Sequence, residues 1–364
     1  MRLSGAILLP HWLFCFLLIS TKAWELPWKS QRVKSFVSSR GFSGQKYGRE
    51  NNSTIPTGDE LAAQLGLQPF ARAPNIVWKL VWRSHGRLLP LLHLFDRAKP
   101  RDADQSLKVV WNKAIAGLDR RSPASNDDYW TYDMLSRSSR WLLRVIPSRL
   151  FPRLHHANIE VRTVYLNQAI AAEISRLRNH TSAEVSSSTV KETKIRLIGL
   201  GSGYDTRYAR MLTTGVVDEA WELDIEPVLE AKQKMLERLQ KNRRKRNTNV
   251  QIPCLRSVDL NDVDSFRRLL QDIVQREEPG TTWHTIFVSE GVFIYLNAGV
   301  PMECLATCRE VMPRSSFCFA DLFRQVNKGN RSEAETEFQQ LGWNLVDWLP
   351  KPGLARHMGV CHSS

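Results

Sequence analysis

The stretch Ile195-Arg-Leu-Ile-Gly-Leu-Gly-Ser-Gly-Tyr-Asp-Thr-Arg207 is the part of this chain best built to hold a small molecule. An apolar, strand-like run leads into Gly199, Gly201 and Gly203, and a helical pattern containing Tyr208, Met211 and Leu212 follows. Glycines at such a bend let the backbone turn tightly and meet a ligand with no Cβ in the way. Loops of this kind serve nucleotides generally, so the loop alone does not choose a ligand. Two neighbours narrow the choice. Asp224 closes a second strand-like run at 220–223 and lies 21 residues beyond Gly203, close to the ~20-residue spacing of an acid that takes ribose hydroxyls. The plainer reading of Asp224 is a helix N-cap. At 206, where a dinucleotide loop needs Gly or Ala for close packing against a pyrophosphate, this chain has Thr206. S-adenosylmethionine carries no pyrophosphate and suits the loop better than NAD does. Asp259-Leu260 follows a plausible third strand at 254–258. An acid there can accept from an adenine amino group with the leucine against the ring, or it can be ordinary turn chemistry.

The elements that must position these residues show in the hydrophobic pattern. Strand-like runs at 195–200, 220–223, 285–289 and 316–320 alternate with amphipathic stretches at 227–243, 263–275 and 299–312. Strands and helices alternating at this length predict a parallel α/β sheet of Rossmann-like type, with all strand C-terminal ends along one ligand-binding edge. Upstream the pattern is helical, over about 76–154 and again over 159–177. Trp78, Trp82, Trp111, Trp130 and Trp141 punctuate the first of these regions. We read it as a helical cap with aromatic anchors in its core; the sharper alternative is a membrane-contacting face.

With 364 residues, 42% hydrophobic and 12 of them Trp, the chain can bury one large core or two modest ones and is not a disordered polymer. The six cysteines form no Cys-x-x-Cys pair, which argues against a zinc or redox motif. Cys304 and Cys308 are four apart and read as buried structural residues on one helix face. The net charge of +14 allows an anionic partner, but the basic residues are spread along the chain. The run Lys241, Arg243–Arg246 falls at a predicted helix C-terminus, where it complements the helix dipole and reads as a solvated face.

The first residues read as a leader. Arg2 precedes a mostly apolar stretch at 5–20 broken by Pro10 and His11, and Thr21-Lys22-Ala23 offers a small-residue cleavage site. That is a signal peptide over 1–23 rather than a membrane span. Residues 24–58 are basic and Ser-rich and end in a polar linker. This composition resembles a transit peptide, and the pair resembles the bipartite leader of algae with secondary plastids, with Trp24 after the cleavage point. Plastid import is the expected address, with the secretory pathway as the alternative. The body then divides into a helical region at 59–157 and a catalytic-type domain at 158–364.

Four segments in order resemble the motif series of the leucine carboxyl methyltransferase family: Leu200-Gly-Ser-Gly-Tyr-Asp-Thr206, Glu222-Leu-Asp-Ile-Glu-Pro227, Val258-Asp-Leu260 and Ser289-Glu-Gly-Val-Phe-Ile-Tyr-Leu296. Glu160-Val-Arg-Thr-Val-Tyr165 resembles the family's segment ahead of the first strand, and the similarity runs over about 158–358. The resemblance implies a class I S-adenosylmethionine-dependent methyltransferase. It implies that Arg162 binds the carboxylate of the cofactor's methionine part, that Gly201 and Gly203 line the cofactor loop, and that Asp224 takes the ribose. It places Asp259 and Leu260 at the adenine, Glu290 beneath the cofactor near the reacting centre, and Tyr295 toward the substrate. Two departures stand out. The family's cofactor-contacting lysine upstream of the arginine has no match in the comparable stretch Met134-Leu-Ser-Arg-Ser-Ser-Arg-Trp141. The last strand of the family's terminal hairpin is not visible after Gly342-Trp-Asn-Leu-Val-Asp-Trp348, although Leu354-Ala-Arg-His-Met-Gly359 resembles a segment near the substrate site.

The expected reaction is methyl esterification of a carboxylate on a protein or small molecule. The family's best-known substrate is the C-terminal leucine of the phosphatase 2A catalytic subunit, from which a plastid address would separate this chain. A carboxylate is ionised at neutral pH and needs no general base, whereas a hydroxyl acceptor would need one, with His155, His156 or His357 as candidates. His155-His156 reads more simply as a helix-capping pair. Ser289-Glu-Gly-Val292 stands where methyltransferases acting on bases carry Asn/Asp-Pro-Pro-Tyr, which argues against a nucleic-acid substrate. The alternatives are a small-molecule hydroxyl methyltransferase, a non-catalytic binding protein built on the cofactor fold, and an NAD-dependent oxidoreductase. No metal is expected, and the helical region is a candidate for peripheral membrane contact.

Overall fold

The computed structural model describes residues 101–118, 129–145, 153–184, 193–324, 326, 331–351 and 356–364. The leader, the linker and Trp78 and Trp82 lie outside these residues.

The strand-like runs are strands because each can bury both faces. In β1 (Thr193–Leu200) the last six residues are all buried, as is every residue of β5 (Ser315–Asp321). Continuous apolar runs of this kind mark parallel strands covered by helices on both sides. β2 (Glu219–Asp224), β3 (Cys254–Ser257) and β4 (Thr282–Glu290) complete the parallel part. The full sheet has seven strands in the order β3-β2-β1-β4-β5-β7-β6. Its registers pair Leu200 with Leu223 and with Ser289, and Glu290 with Ala320. The C-terminal ends of β2, β1, β4 and β5 therefore reach one edge together, the place where such sheets bind ligands.

Side-chain alternation divides β1 between two cores. Ile195 and Leu197 face a long helix, α4 (Arg153–Glu184), through Val161, Tyr165, Ala169 and Ile170. Ile198 and Leu200 face the opposite layer, where α7 (Val263–Gln275) supplies Phe266 and Leu270 and α8 (Val300–Val311) supplies Cys304 and Leu305. Full burial of each such aliphatic or aromatic side chain contributes about 1.5–3 kcal/mol, which fixes the strand register and with it the loop that follows β1. Cys304 and Cys308 are both fully buried on α8, and burial pushes the Cys304 thiol up to about 12.

A third core joins the helical region to the sheet domain. α1 (Arg101–Leu118) is buried at every position from Val110 to Gly117. With α2 (Tyr129–Met134) and α3 (Arg137–Val145) it packs on α6 (Glu226–Arg244), bringing Leu107, Trp111, Ala114 and Trp130 against Met235, Leu236 and Leu239. α6 begins with Glu226 and Pro227, and Lys241, Arg243 and Arg244 occupy its last turn, matching the helix dipole at both ends. A short helix, α5 (Arg207–Thr213), follows the glycine loop.

Three expectations are corrected. The terminal hairpin has its second strand: β6 (Trp343–Lys351) returns as β7 (Arg356–Ser363), which inserts antiparallel between β5 and β6. Its sequence, Arg-His-Met-Gly-Val-Cys-His-Ser, lacks the long apolar run that marked the parallel strands. It is stabilised instead by pairing on both edges, with Met358, Val360 and Cys361 buried. Trp111 and Trp130 are buried as core anchors, but Trp141 is 63% exposed. His155 and His156 lie within the first turn of α4, not ahead of it as caps.

Candidate functional site

Backbone geometry forms the glycine loop. Gly201 and Gly203 have φ of 58° and 49°, in the left-handed region where side chains with a Cβ are strained. A Cβ on Gly201 would also stand 2.2 Å from Val292 Cγ2, so the turn after β1 packs directly on the turn after β4. The loop is tied to β2: the Ser202 N–H donates to the Leu223 carbonyl at 3.1 Å, and the Gly203 N–H donates to Asp224 Oδ2 at 2.7 Å. Asp224 Oδ1 accepts from the Ile225 N–H at 2.8 Å. Asp224 is thus held by the loop it faces; the N-cap of α6 is Ile225, with no side-chain cap, so the helix-cap reading of Asp224 is not borne out. Burial pushes its carboxyl up, against the two N–H bonds that favour the ionised form.

Beneath the loop, Glu222 and Lys232 form a fully buried ion pair, with Lys232 Nζ 3.5 Å from Ser202 Oγ. Burial pushes the Glu222 carboxyl up to about 7 even with the ammonium against it. This pair, reached from α6, fixes the underside of the turn. Thr206, the residue that argued against a dinucleotide, is buried at the start of α5 with its hydroxyl 3.4 Å from that of Thr131 on α2.

A cavity of about 380 Å³ opens above the loop, at the lower end of the volumes that hold small ligands. The structure brings all the sequence-predicted site residues to its walls: Arg162, Gly201, Gly203 and Asp224; then Asp259, Leu260, Glu290 and Tyr295. Leu260 is buried. Asp259 Oδ1 accepts from the Asn261 N–H at 2.9 Å, so the turn-chemistry reading of this acid holds alongside its place at the wall. Tyr295 ends the short 3-10 turn Phe293–Tyr295 and is 57% exposed, at the solvent side of the cavity.

The cavity floor is a cluster of charges. Glu290 Oε2 lies 3.2 Å from Lys113 Nζ and 3.3 Å from Arg207 Nη2, and its Oε1 lies 3.6 Å from Arg162 Nη2. Asp205 bridges Lys113 at 3.3 Å and Arg207 at 2.9 Å. Burial alone would raise both acids. The cations outweigh it, holding Glu290 below the usual carboxylate range, through Lys113 first, and Asp205 well below it, through Arg207 first. Glu290 Oε1 and Arg162 Nε are buried without a hydrogen-bond partner among the described residues.

Lys113 is a residue of the cavity wall that sequence reasoning missed. It comes from α1, well upstream of the stretch 134–141 where a family lysine was sought, and it is 3% exposed. The available signal was a lone lysine inside the apolar run Val109-Val-Trp-Asn-Lys-Ala-Ile-Ala116, since a lysine buried in a core needs an acidic partner. Asp321, at the end of β5, was also missed. It is fully buried; Oδ2 accepts from Ser289 Oγ at 2.6 Å and the Val292 N–H at 2.9 Å, and Oδ1 accepts from the N–H groups of Phe293 and Leu322 at 3.1 and 2.9 Å. It braces the turn that carries Glu290 and Tyr295. His357, the candidate base, stacks on Trp348 at 4.7 Å between ring centroids and is not among the residues lining the cavity.

A family model described as leucine carboxyl methyltransferase matches residues 106–308. No curated protein matches the chain in sequence. Solved structures that match the chain include magnesium protoporphyrin IX methyltransferase of Synechocystis PCC 6803 with bound SAM, at 9% identity over 57% of this chain and 83% of that one, with a TM-score of 0.32. A TehB-like SAM-dependent methyltransferase of Corynebacterium glutamicum has 13% identity over 54% and 99%, with a TM-score of 0.30. N,N-8-amino-8-demethyl-D-riboflavin dimethyltransferase of Streptomyces davawensis has 14% identity over 71% and 70%, with a TM-score of 0.31.

Proposed function

Because the chain belongs to the leucine carboxyl methyltransferase family and is an S-adenosylmethionine-dependent methyltransferase, we propose that its acceptor is a carboxylate and its product a methyl ester. The observation that carries this reading is the cavity floor. Around Glu290, Lys113 and Arg162 line the cavity and Arg207 stands behind them against Glu290 and Asp205, so this part of the wall, unlike that at Asp224 and Asp259, presents cations to an anionic group. Among the described residues lining it there is no histidine to deprotonate a hydroxyl, and a carboxylate needs no such base.

When bound, the cofactor supplies a methyl group activated on a sulfonium. The chain's residues fit it. The glycine turn lines the cavity with backbone at Gly201 and Gly203, and Asp224 has a carboxylate held in place for ribose hydroxyls. Asp259 and Leu260 would hold the adenine. Arg162 would pair with the carboxylate of the methionine part, as a planar guanidinium can. Glu290 and Lys113 would lie beneath that end, and Tyr295 would meet the incoming acceptor. Alignment of acceptor and methyl in one line can lower the barrier by roughly 7–11 kcal/mol, which is the main work left to the protein.

The test is transfer of a tritiated methyl group to a lysate of the native compartment, followed by mild base. Release of label as methanol supports an ester. Base-stable label would replace the carboxylate with a hydroxyl acceptor, and cofactor binding without any transfer would favour a binding protein. Plastid import through residues 1–58 is a separate proposal, tested by whether a tagged precursor leaves the secretory pathway.

A further inference from the structure

The surface made by α2, α3 and the end of α6 takes no part in the cavity, yet it combines two features that rarely coincide without a partner. On α3, Ser139 and Leu143 are buried, while Trp141 and Val145, one turn apart, are 63% and 56% exposed. Arg137 and Arg144 are exposed beside them, both along one edge of the pair. A single exposed tryptophan needs no explanation. An exposed Trp–Val pair at helical spacing with arginines along one edge is the pattern of a helix lying at an apolar–polar boundary.

The cationic surface does not end with α3. Arg144 lies over the Tyr132 ring at 5.8 Å, and that ring is 5.6 Å from the Tyr129 ring. Tyr129 in turn lies under Arg246 at 4.9 Å and under Arg243 at 5.7 Å. Through this stack the arginines of α3 join the basic end of α6, where Lys241, Arg244 and Lys245 are exposed. The acid inside the patch, Asp133, is buried and already paired with Arg243 at 2.8 Å and Arg246 at 3.1 Å. Among the described residues, Glu237, exposed one turn back on α6, is an acid at its border.

We infer that this face docks on an anionic lipid bilayer. Trp141 and Val145 enter the headgroup layer, and the cations of α3 and α6 meet lipid phosphates. The charge alone would also match an acidic protein. The protruding indole decides for lipid, because an apolar body with one N–H donor suits the boundary between headgroups and acyl chains.

The experiment is sedimentation of the full chain with phosphatidylcholine vesicles, with and without phosphatidylglycerol. Binding is expected only to the anionic vesicles and is expected to weaken as salt rises. Each surface cation removed lowers partitioning about fivefold, so Arg137→Gln with Lys245→Gln lowers it about 25-fold. Trp141→Ala lowers it roughly tenfold. Unchanged melting and cofactor affinity in these variants show that the fold is intact. All variants share the same N-terminal residues, so binding through those is common to every sample and the differences read α3 and α6. Equal pelleting with neutral vesicles, or variants that bind like the parent, overturns the inference. Retention on polyglutamate with no vesicle binding overturns it in favour of an acidic protein partner.

Discussion

Replacing Asp321 by Asn tests whether the turn after β4 is held by one buried carboxylate. The two carboxylate oxygens accept from Ser289 Oγ, the Val292 N–H, the Phe293 N–H and the Leu322 N–H, all between 2.6 and 3.1 Å. The amide keeps one acceptor oxygen. In its better orientation that oxygen retains Phe293 and Leu322, and the new NH₂ donates to the Ser289 hydroxyl, which can turn to accept. The Val292 N–H then faces a donor. A lost hydrogen bond to a charged group contributes about 1.5–3 kcal/mol, and the buried N–H left over has no water to take its place. The loss is therefore about 2–3 kcal/mol, which in a chain of this size lowers the melting temperature by on the order of 5 °C. Glu290 lies just before this turn and Tyr295 just after it, so a displacement near 1 Å lowers the rate of methyl transfer by on the order of 10–100-fold. Calorimetric melting and steady-state transfer read the two effects. If the variant melts within about one degree of the parent and turns over normally, Asp321 does not brace the site.

Three further outcomes follow from the same geometry. Gly201→Ala places a Cβ 2.2 Å from Val292 at a φ of 58°; backbone strain of about 1–2 kcal/mol plus that clash lowers cofactor affinity by at least about tenfold in titration calorimetry. Lys113→Met leaves Glu290 and Asp205 facing only the two arginines, and urea unfolding should show a loss near the lower end of the roughly 3–5 kcal/mol that follows breaking a buried ion pair. Glu173, 4% exposed, pairs with His362 at 2.8 Å and Arg176 at 2.9 Å; burial alone would raise its carboxyl, but these partners lower it from 4.5 to about 2. A depressed carboxyl stabilises the fold above its unfolded value, so Glu173→Gln lowers stability by on the order of 1–3 kcal/mol above that value. Stability measured against pH should show that difference shrinking as pH falls from 4.5 toward 2.

What could be read from the sequence divides along physical lines. β1, β2, β4 and β5 were visible because helices cover both faces, which leaves continuous apolar runs. Asp224 was visible because loop and acid sit on neighbouring strands at a fixed spacing. β7 was not, since it is stabilised by pairing on both edges rather than by a long apolar run. Lys113 was missed because its partners Asp205 and Glu290 lie 92 and 177 residues away, and only the packing of α1 on the sheet edge brings them together. Asp321 depends on the β4–β5 register that sets Glu290 beside Ala320, which no local pattern specifies. Trp141 belongs to a helical stripe, and a stripe shows which residues share a face without showing what that face meets.

The central claim is that the crevice between the Gly201–Gly203 turn and Asp224 holds S-adenosylmethionine. Titration calorimetry on the parent chain and on Asp224→Ala tests it most directly. The account predicts one binding site in the parent, at least about tenfold weaker binding in the variant, and no heat from NAD. Equal affinity in the two proteins, or tight binding of NAD, would contradict it.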